Sequence, residues 1–515
     1  MATTLSAAGE TGTSKASATG HRWLILGTVS LAQLMVVLDA TVVNIALPSA
    51  QRALGFSTVD RQWVVTAYAL AFGSLLLFGG RLGDLIGRKI TFLAGAAGFA
   101  AASAVGGAAT GFGMLVAARA CQGAFGALLA PAALSILSTT FSDPKQRGKA
   151  FGIYGAIVGA GGAIGLLLGG VLTEYLTWRW CLYVNLIFAA LAVTGGVTLL
   201  RRQATRSRPR LDLPGAALVS AAMFSLVYGF SNAASHNWHT PSTYGFLAAG
   251  VALLAAFALW QSRAASPLLP PRVVADRNRA GAYLAVLTAG IGMFGVFLFL
   301  TYYMQQTLHY SPVVTGVAFL PMIAMVVVSA NLSNVVLLPR LGPKPLVTVG
   351  MLLAAAALVW LTRIGVHSSY VSALLGPGMV AGLGFGFTVA PSMNTGTFGV
   401  APQDAGVASA TLNTGQQIGG SIGTSLLNTI FASAVAQYLT SHLSPATVVG
   451  GHPAPSLTGM ALIHGYTTGF WAAAAIFGTG AVICGTLFRS GPLRASGSPQ
   501  AGPARATAQQ AAVHR

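Results

Sequence analysis

Leu38-Asp39-Ala40-Thr41-Val42-Val43-Asn44-Ile45-Ala46-Leu47-Pro48 lies inside an apolar run that begins near Trp23. A run of this kind matches the ~20 residues a helix needs to cross a bilayer, yet it holds a carboxylate, Asp39, in its interior. An ionisable side chain at membrane depth is costly, so the position reads as functional. The plainer alternative is a structural acid satisfied by its neighbours Thr41 or Asn44.

Working outward, charged residues make up 7% of the chain and hydrophobic ones 54%, whereas an ordinary soluble domain carries roughly 25% charge. The composition therefore predicts a polytopic membrane protein. Long apolar runs favour a helical bundle over a barrel of short alternating strands, and the 64 glycines suit helices that pack closely in lipid. The net charge of +19 would suggest nucleic acid in a soluble protein. Here the basic residues are spread through the connectors, and membrane orientation explains them better. Cys121, Cys181 and Cys484 lack metal-ligand spacing, and neither a metal nor a cofactor is expected.

The apolar runs divide the chain into an all-α fold of fourteen spans: a disordered tail (1–22), a six-helix bundle (23–200), two central helices with basic connectors (201–279), a second six-helix bundle (280–488) and a basic tail (489–515). The run Val407–Leu439 is long for one span and is expected to tilt or project. Lys and Arg concentrate on the side of the two tails, while the opposite side holds only Arg52, Arg61, Arg179 and Arg363. The rich side is therefore expected to be cytoplasmic, in a cell (inner) membrane. The two bundles look related: Arg81-Leu82-Gly83 after the second span is echoed by Arg340-Leu341-Gly342 after the second span of the later group. Duplicated six-helix halves are a mark of transporters that bind cargo between the halves.

Arg119 stands inside the fourth span, at a depth similar to that of Asp39 when each is counted from its helix end at 1.5 Å per residue. Arginine favours the ionised carboxylate, whereas a dry surrounding favours the protonated one, so the pair can act as a proton switch. The alternative for Arg119 is a snorkelling or helix-locking charge.

Several motifs in order resemble the major facilitator superfamily, specifically its fourteen-helix drug:proton antiporters, over roughly Trp23 to Phe488. They are the Leu38–Pro48 stretch, Gly79-Gly80-Arg81-Leu82-Gly83-Asp84-Leu85-Ile86-Gly87-Arg88-Lys89, Arg119-Ala120-Cys121-Gln122-Gly123, and Trp178-Arg179-Trp180 followed by Asn185. The resemblance implies proton coupling at Asp39 and Arg119. It also implies an inner gate at Gly83, Asp84, Gly87, Arg88 and Lys89, where Asp84 and Arg88 stand at helical i,i+4 spacing; topology alone is the competing account of the basic residues. Gly161, Gly165, Gly169 and Gly170 occupy the place of the antiporter motif of the fifth helix. Leu166 stands where that motif usually has proline, and Leu186 and Ile187 follow Asn185 where a proline is common, so the fifth helix is expected to be straighter or to rely on its glycines.

Polar candidates for a cargo cavity are Gln33, Trp63, Tyr68, Gln122, Tyr302, Tyr303, Gln305, Gln306, Asn394, Asn413, Gln416 and Gln417. Each alone reads more readily as an inter-helix hydrogen bond or interface anchor than as a ligand contact, with Asn413, Gln416 and Gln417 the best candidates. Asn413, Gln416 and Gln417 share one face at i, i+3, i+4. Asp39 is the one deep carboxylate in the sequence, so neutral or monovalent lipophilic cargo is expected, with protons and the bilayer as the other partners and the oligomeric state open. The expectation is a proton-driven exporter of a hydrophobic drug or antibiotic and not an enzyme. An uptake permease and a non-transporting receptor of the same fold are the rivals.

Overall fold

The computed structural model describes residues 10–57, 60–141, 144–200, 212–236, 240–265, 267–400, 405–443, 448–449 and 452–493. Lipid offers no partner for backbone N–H and C=O groups, so apolar segments pair them internally as helix. Among the described residues there are fourteen long helices, twelve of them long and apolar enough to cross a membrane. The first half comprises α1 (Glu10–Leu54), α2 (Gln62–Ile86), α3 (Arg88–Gly107), α4 (Phe112–Thr140), α5 (Pro144–Tyr175) and α6 (Trp180–Leu199). A hairpin follows, α7 (Leu213–His236) and α8 (Pro241–Arg263). The second half comprises α9 (Arg277–Tyr302), α10 (Pro312–Leu332), α11 (Pro343–Leu361), α12 (Gly376–Thr397), α13 (Ala405–His442) and α14 (Pro455–Leu487). A two-residue antiparallel pairing, Val448–Val449 with His452–Pro453, precedes α14.

Two helix lengths bear on the sequence reading. The first helix begins at Glu10, within the stretch expected to be a flexible tail, because no proline interrupts the chain between Glu10 and Trp23. Helix α13 runs for 38 residues, about 57 Å at 1.5 Å per residue. It is longer than the ~30 Å hydrocarbon core requires.

The duplication is visible in the packing. In the first half α2 packs on α4, α3 on α4, α1 on α5, α3 on α6, α1 on α6 and α1 on α4. In the second half the corresponding pairs are α10 on α12, α11 on α12, α9 on α13, α11 on α14, α9 on α14 and α9 on α12. The turn between the second and third helix of each half also repeats, but in a register other than the Arg-Leu-Gly echo. Gly87 (φ 95°) separates α2 from α3 as Gly342 (φ 78°) separates α10 from α11, so Gly87 and not Gly83 is the counterpart of Gly342.

The halves meet along α2 with α13, α5 with α10, and α1 with α9 and α10. Among the described residues the hydrogen bonds between them fall at one end of the bundle. Tyr302 donates to Gln51 at 2.8 Å, Gln305 to the Ile45 carbonyl at 3.1 Å, the Val313 N–H to Glu174 at 3.0 Å and Arg61 to Asn428 at 3.2 Å. Arg61, read from the sequence as a loop residue, is only 1% exposed within this seam. The α7–α8 hairpin lies across the same seam: Ser220 donates to the Ser74 carbonyl of one half, and Thr429 of the other donates to the Phe230 carbonyl.

Candidate functional site: a buried acid and base in the first half

Every helix of the first half except α5 contributes to one polar centre. Asp39 on α1 is wholly buried, and Arg119 on α4 is 1% exposed. Arg119 Nη1 donates to Asp39 Oδ2 at 2.5 Å. Asp39 Oδ1 accepts from Gln122 Nε2 at 3.0 Å and from Asn185 Nδ2 at 2.8 Å. Both amides also reach the Ser103 hydroxyl on α3, at 2.7 and 3.3 Å. Arg119 further donates through Nε to the Val64 carbonyl on α2 at 3.1 Å and through Nη1 to Gln122 Oε1 at 2.9 Å. Its guanidinium lies over the Tyr68 ring, 4.4 Å from the centroid.

The local sequence explains the assembly. Arg119 and Gln122 are three residues apart on a helix and so present one face. Gly123 follows them, and a Cβ there would run into the Tyr68 carbonyl oxygen, so α4 lies against α2 without a side chain between them. Burying two charges costs several kcal/mol per ion unless their remaining hydrogen-bonding capacity is met. Here Asp39 has three side-chain donors, and the guanidinium has an ion partner, two further acceptors and a ring face. The Thr41 hydroxyl instead donates to the Val37 and Leu38 carbonyls, and Asn44 donates to the Ala40 carbonyl. The neighbours considered as partners for Asp39 are thus occupied by their own helix. Against the apolar side of Arg119 lies a small cavity lined by residues that include Val43, Leu47, Leu115 and Trp178.

The remaining candidates separate into groups. Gln122 and Tyr68 belong to the Asp39 centre. Trp63 packs against Tyr228 of the central hairpin, ring centroids 6.1 Å apart. Tyr302 and Tyr303 are buried, and the Tyr303 hydroxyl donates to the Gly365 carbonyl at 2.7 Å within its own half. Gln33, Gln416 and Gln417 are half-buried, and Asn413 and Asn394 are exposed. Gln417 lies on the face of α13 that packs against Gly73 of α2.

In the loop motif, the Lys89 ammonium donates to the Val197 and Leu200 carbonyls at the end of α6, bonds made inside its own half. The side chain of Asp84 lies outside the described residues, and Arg88 is half-buried. Helix α5 is continuous past Leu166. A Cβ on Gly161 would meet Leu34 at 2.9 Å, one on Gly165 would meet the Thr41 hydroxyl, and one on Gly169 would meet the Val42 backbone at 3.0 Å, all on α1. Gly170 faces the other half instead, where a Cβ would come within 2.7 Å of the Pro312 carbonyl oxygen. Sequence reasoning did not assign Ser103 or Asn185 to the acid: a serine in an apolar helix carries no signal, and Asn185 stood only as a motif position.

Two six-helix repeats around a seam, with a charge pair sealed inside one of them, are the architecture of a membrane transporter. The chain belongs to the Major Facilitator Superfamily, whose pattern it matches over residues 29–424. It is 48% identical over 490 residues to the puromycin resistance protein pur8 of Streptomyces alboniger, covering 94% of this chain and 95% of that one. It is 39% identical over 457 residues to the cephamycin export protein CmcT of Amycolatopsis lactamdurans, covering 87% and 93%. Among solved structures, a bacterial homologue of the human lysosomal transporter Spinster, inward-facing and unoccupied, superposes with a TM-score of 0.59 at 17% identity, covering 91% of this chain and 97% of that one. An auto-inhibited peptide transporter of the POT family gives 0.63 at 15% identity, covering 93% and 98%. At such identities these structures speak for the fold alone.

Proposed function

We propose that this protein exports a lipophilic small molecule of antibiotic type, driven by protons moving inward, with Asp39 as the proton-bearing group. The observation that supports this reading best is the sealing of Asp39 among donors from α4 and α6 of a single half. Among the described residues, Asp39 and Arg119 make no bond across the seam between the halves, where Gln417 packs against α2. Proton and cargo then occupy different places, and coupling between them has to run through helix movement.

Helix α1 is the element suited to carry it. Ionised Asp39 holds α1 to α4 and α6 through three hydrogen bonds. Protonation removes the charge and turns an acceptor oxygen into a donor facing other donors, which loosens that grip. Further along α1, the Ile45 carbonyl and Gln51 accept from Gln305 and Tyr302 of the second half. A change at Asp39 therefore reaches the seam along α1, directly at Ile45 and past Pro48 at Gln51. On the charge pattern the joined end faces outward, both tails and the Gly83–Lys89 gate lie in the cytoplasm, and the described state opens inward. The names of the relatives support export over uptake.

The test is dye accumulation in everted vesicles acidified inside. Acidification drives a lipophilic dye inward through the wild type, and Asp39→Asn loses this at equal membrane abundance. Equal movement by Asp39→Asn overturns the coupling role of Asp39. Failure of a panel of neutral and cationic compounds to move at all overturns broad export.

A further inference from the structure

Arg61, at the start of α2, is the second buried arginine, and its surroundings differ from those of Arg119. Its guanidinium lies 4.0 Å from the ring centroid of Tyr302 and 5.0 Å from that of Phe431, so its faces meet aromatic rings of the other half. Its Nε donates to Asn428 Oδ1 at 3.2 Å. Among the described residues no carboxylate lies within ion-pair distance of it; the adjacent Asp60 accepts instead from the Ser57 hydroxyl. Stacking on rings is worth about 2 kcal/mol when desolvated, less than the several kcal/mol that burial of an ion costs.

Three polar atoms beside this charge have no hydrogen-bond partner: Arg61 Nη2, Asn428 Nδ2 and the Tyr466 hydroxyl. All three residues are buried. A guanidinium only donates, so the Asn428 oxygen must face Arg61, and its Nδ2 is left as a second unanswered donor. The Arg61 guanidinium faces the Tyr466 oxygen as a donor, so the phenolic hydrogen is what lacks an acceptor, and the Tyr466 ring packs 4.9 Å from that of Phe431. The cluster thus has one full positive charge, a surplus of donors and no acid.

We propose that Arg61, Asn428 and Tyr466 form a binding site for one small monoanionic acceptor on the seam between the halves. The acceptor is a single negative group, either a free inorganic monoanion or a carboxylate carried on an organic molecule. It neutralises Arg61 and takes hydrogen bonds from Nη2, Nδ2 and the phenol, which belong to α2, α13 and α14. Because those helices come from both halves, an occupant stabilises their closure at this end. The site stands apart from Asp39 and holds whether or not Asp39 carries protons.

The experiment is thermal unfolding of the purified full chain at constant ionic strength, with gluconate replaced stepwise by chloride or by benzoate. Gluconate, the largest and most strongly hydrated of the three anions, serves as the reference. The midpoint should rise and saturate with at least one small anion. Arg61→Gln should weaken that dependence by about 10-fold or more, and Tyr466→Phe should weaken it less. Asn428→Asp supplies the carboxylate from the chain itself, so its midpoint should be high in gluconate and indifferent to chloride and benzoate. A response to chloride identifies a free ion as occupant, and a response to benzoate alone identifies an organic carboxylate. A wild-type midpoint that is the same in all three salts, or an Asn428→Asp variant that responds as the wild type does, overturns the site.

Discussion

Asn185 on α6 donates to Asp39 on α1 at 2.8 Å across 146 positions of sequence. The same nitrogen lies 3.3 Å from the Ser103 hydroxyl. Asn185 is thus the residue that ties α6 to the acid of α1. Replacing it with leucine keeps the size but removes a donor from the buried carboxylate. Asn185→Leu is expected to lower efflux several-fold at equal membrane abundance and to shift its pH dependence, since a hydrogen bond to a charged group is worth about 1.5–3 kcal/mol. Ser103→Ala, which removes only the hydroxyl shared by the two amides, should do less. Efflux measured across a series of external pH values checks both.

The glycines of α5 serve two different contacts. Gly162 has open space around it, Gly169 abuts the α1 backbone and Gly170 abuts the second half. Gly162→Ala should therefore be silent. Gly169→Val should lower the amount of folded protein in the membrane, because α1 and α5 cannot part without breaking the first half. Gly170→Val should leave abundance near normal and impair transport, because it obstructs only the approach of the halves. Size-exclusion profiles and transport rates of the three variants separate these outcomes.

Two glycines of the loop motif also differ. Gly87 adopts φ 95°, a conformation that side chains disfavour, while a Cβ on Gly83 meets Thr91 at an ordinary 3.8 Å. Gly87→Ala is expected to cost about 1–2 kcal/mol and Gly83→Ala much less. The unfolding midpoints of the two alanine variants, compared in one detergent, test this ordering.

Asp212 anchors the central hairpin by accepting from the Gly215 N–H, Trp260 and Gln261. Burial pushes its carboxyl upward, but the hydrogen bonds from Trp260, Gly215 and Gln261 outweigh it and leave the pKa below the usual carboxylate range. A carboxyl depressed in the folded state contributes fully above its unfolded pKa of about 3.9. That contribution is lost as the pH falls through the folded value. Asp212→Asn should thus be less stable than wild type near neutrality, with the gap closing in acid. Unfolding midpoints measured from neutral pH downward provide the check, and a gap that widens in acid contradicts the assignment.

What the sequence determined by itself is what the membrane imposes one residue at a time. Lipid demands helical segments of a given length, so the all-α membrane fold and the expense of Asp39 and Arg119 were legible as patterns along the chain. Partners were not. Asn185 and Gln122 meet Asp39, and Ser103 meets both amides, only because α1, α3, α4 and α6 cross at one point, and sequence distance carries no information about that crossing. The same holds for Arg61, which stands next to a loop in sequence but is enclosed by Tyr302, Phe431 and Asn428 once the halves meet. Lys89 and Tyr303, read as gate and cavity residues, turned out to bond within their own halves. Tertiary packing decided these, because a polar side chain in a dry bundle goes to whichever donor or acceptor the neighbouring helix brings within reach.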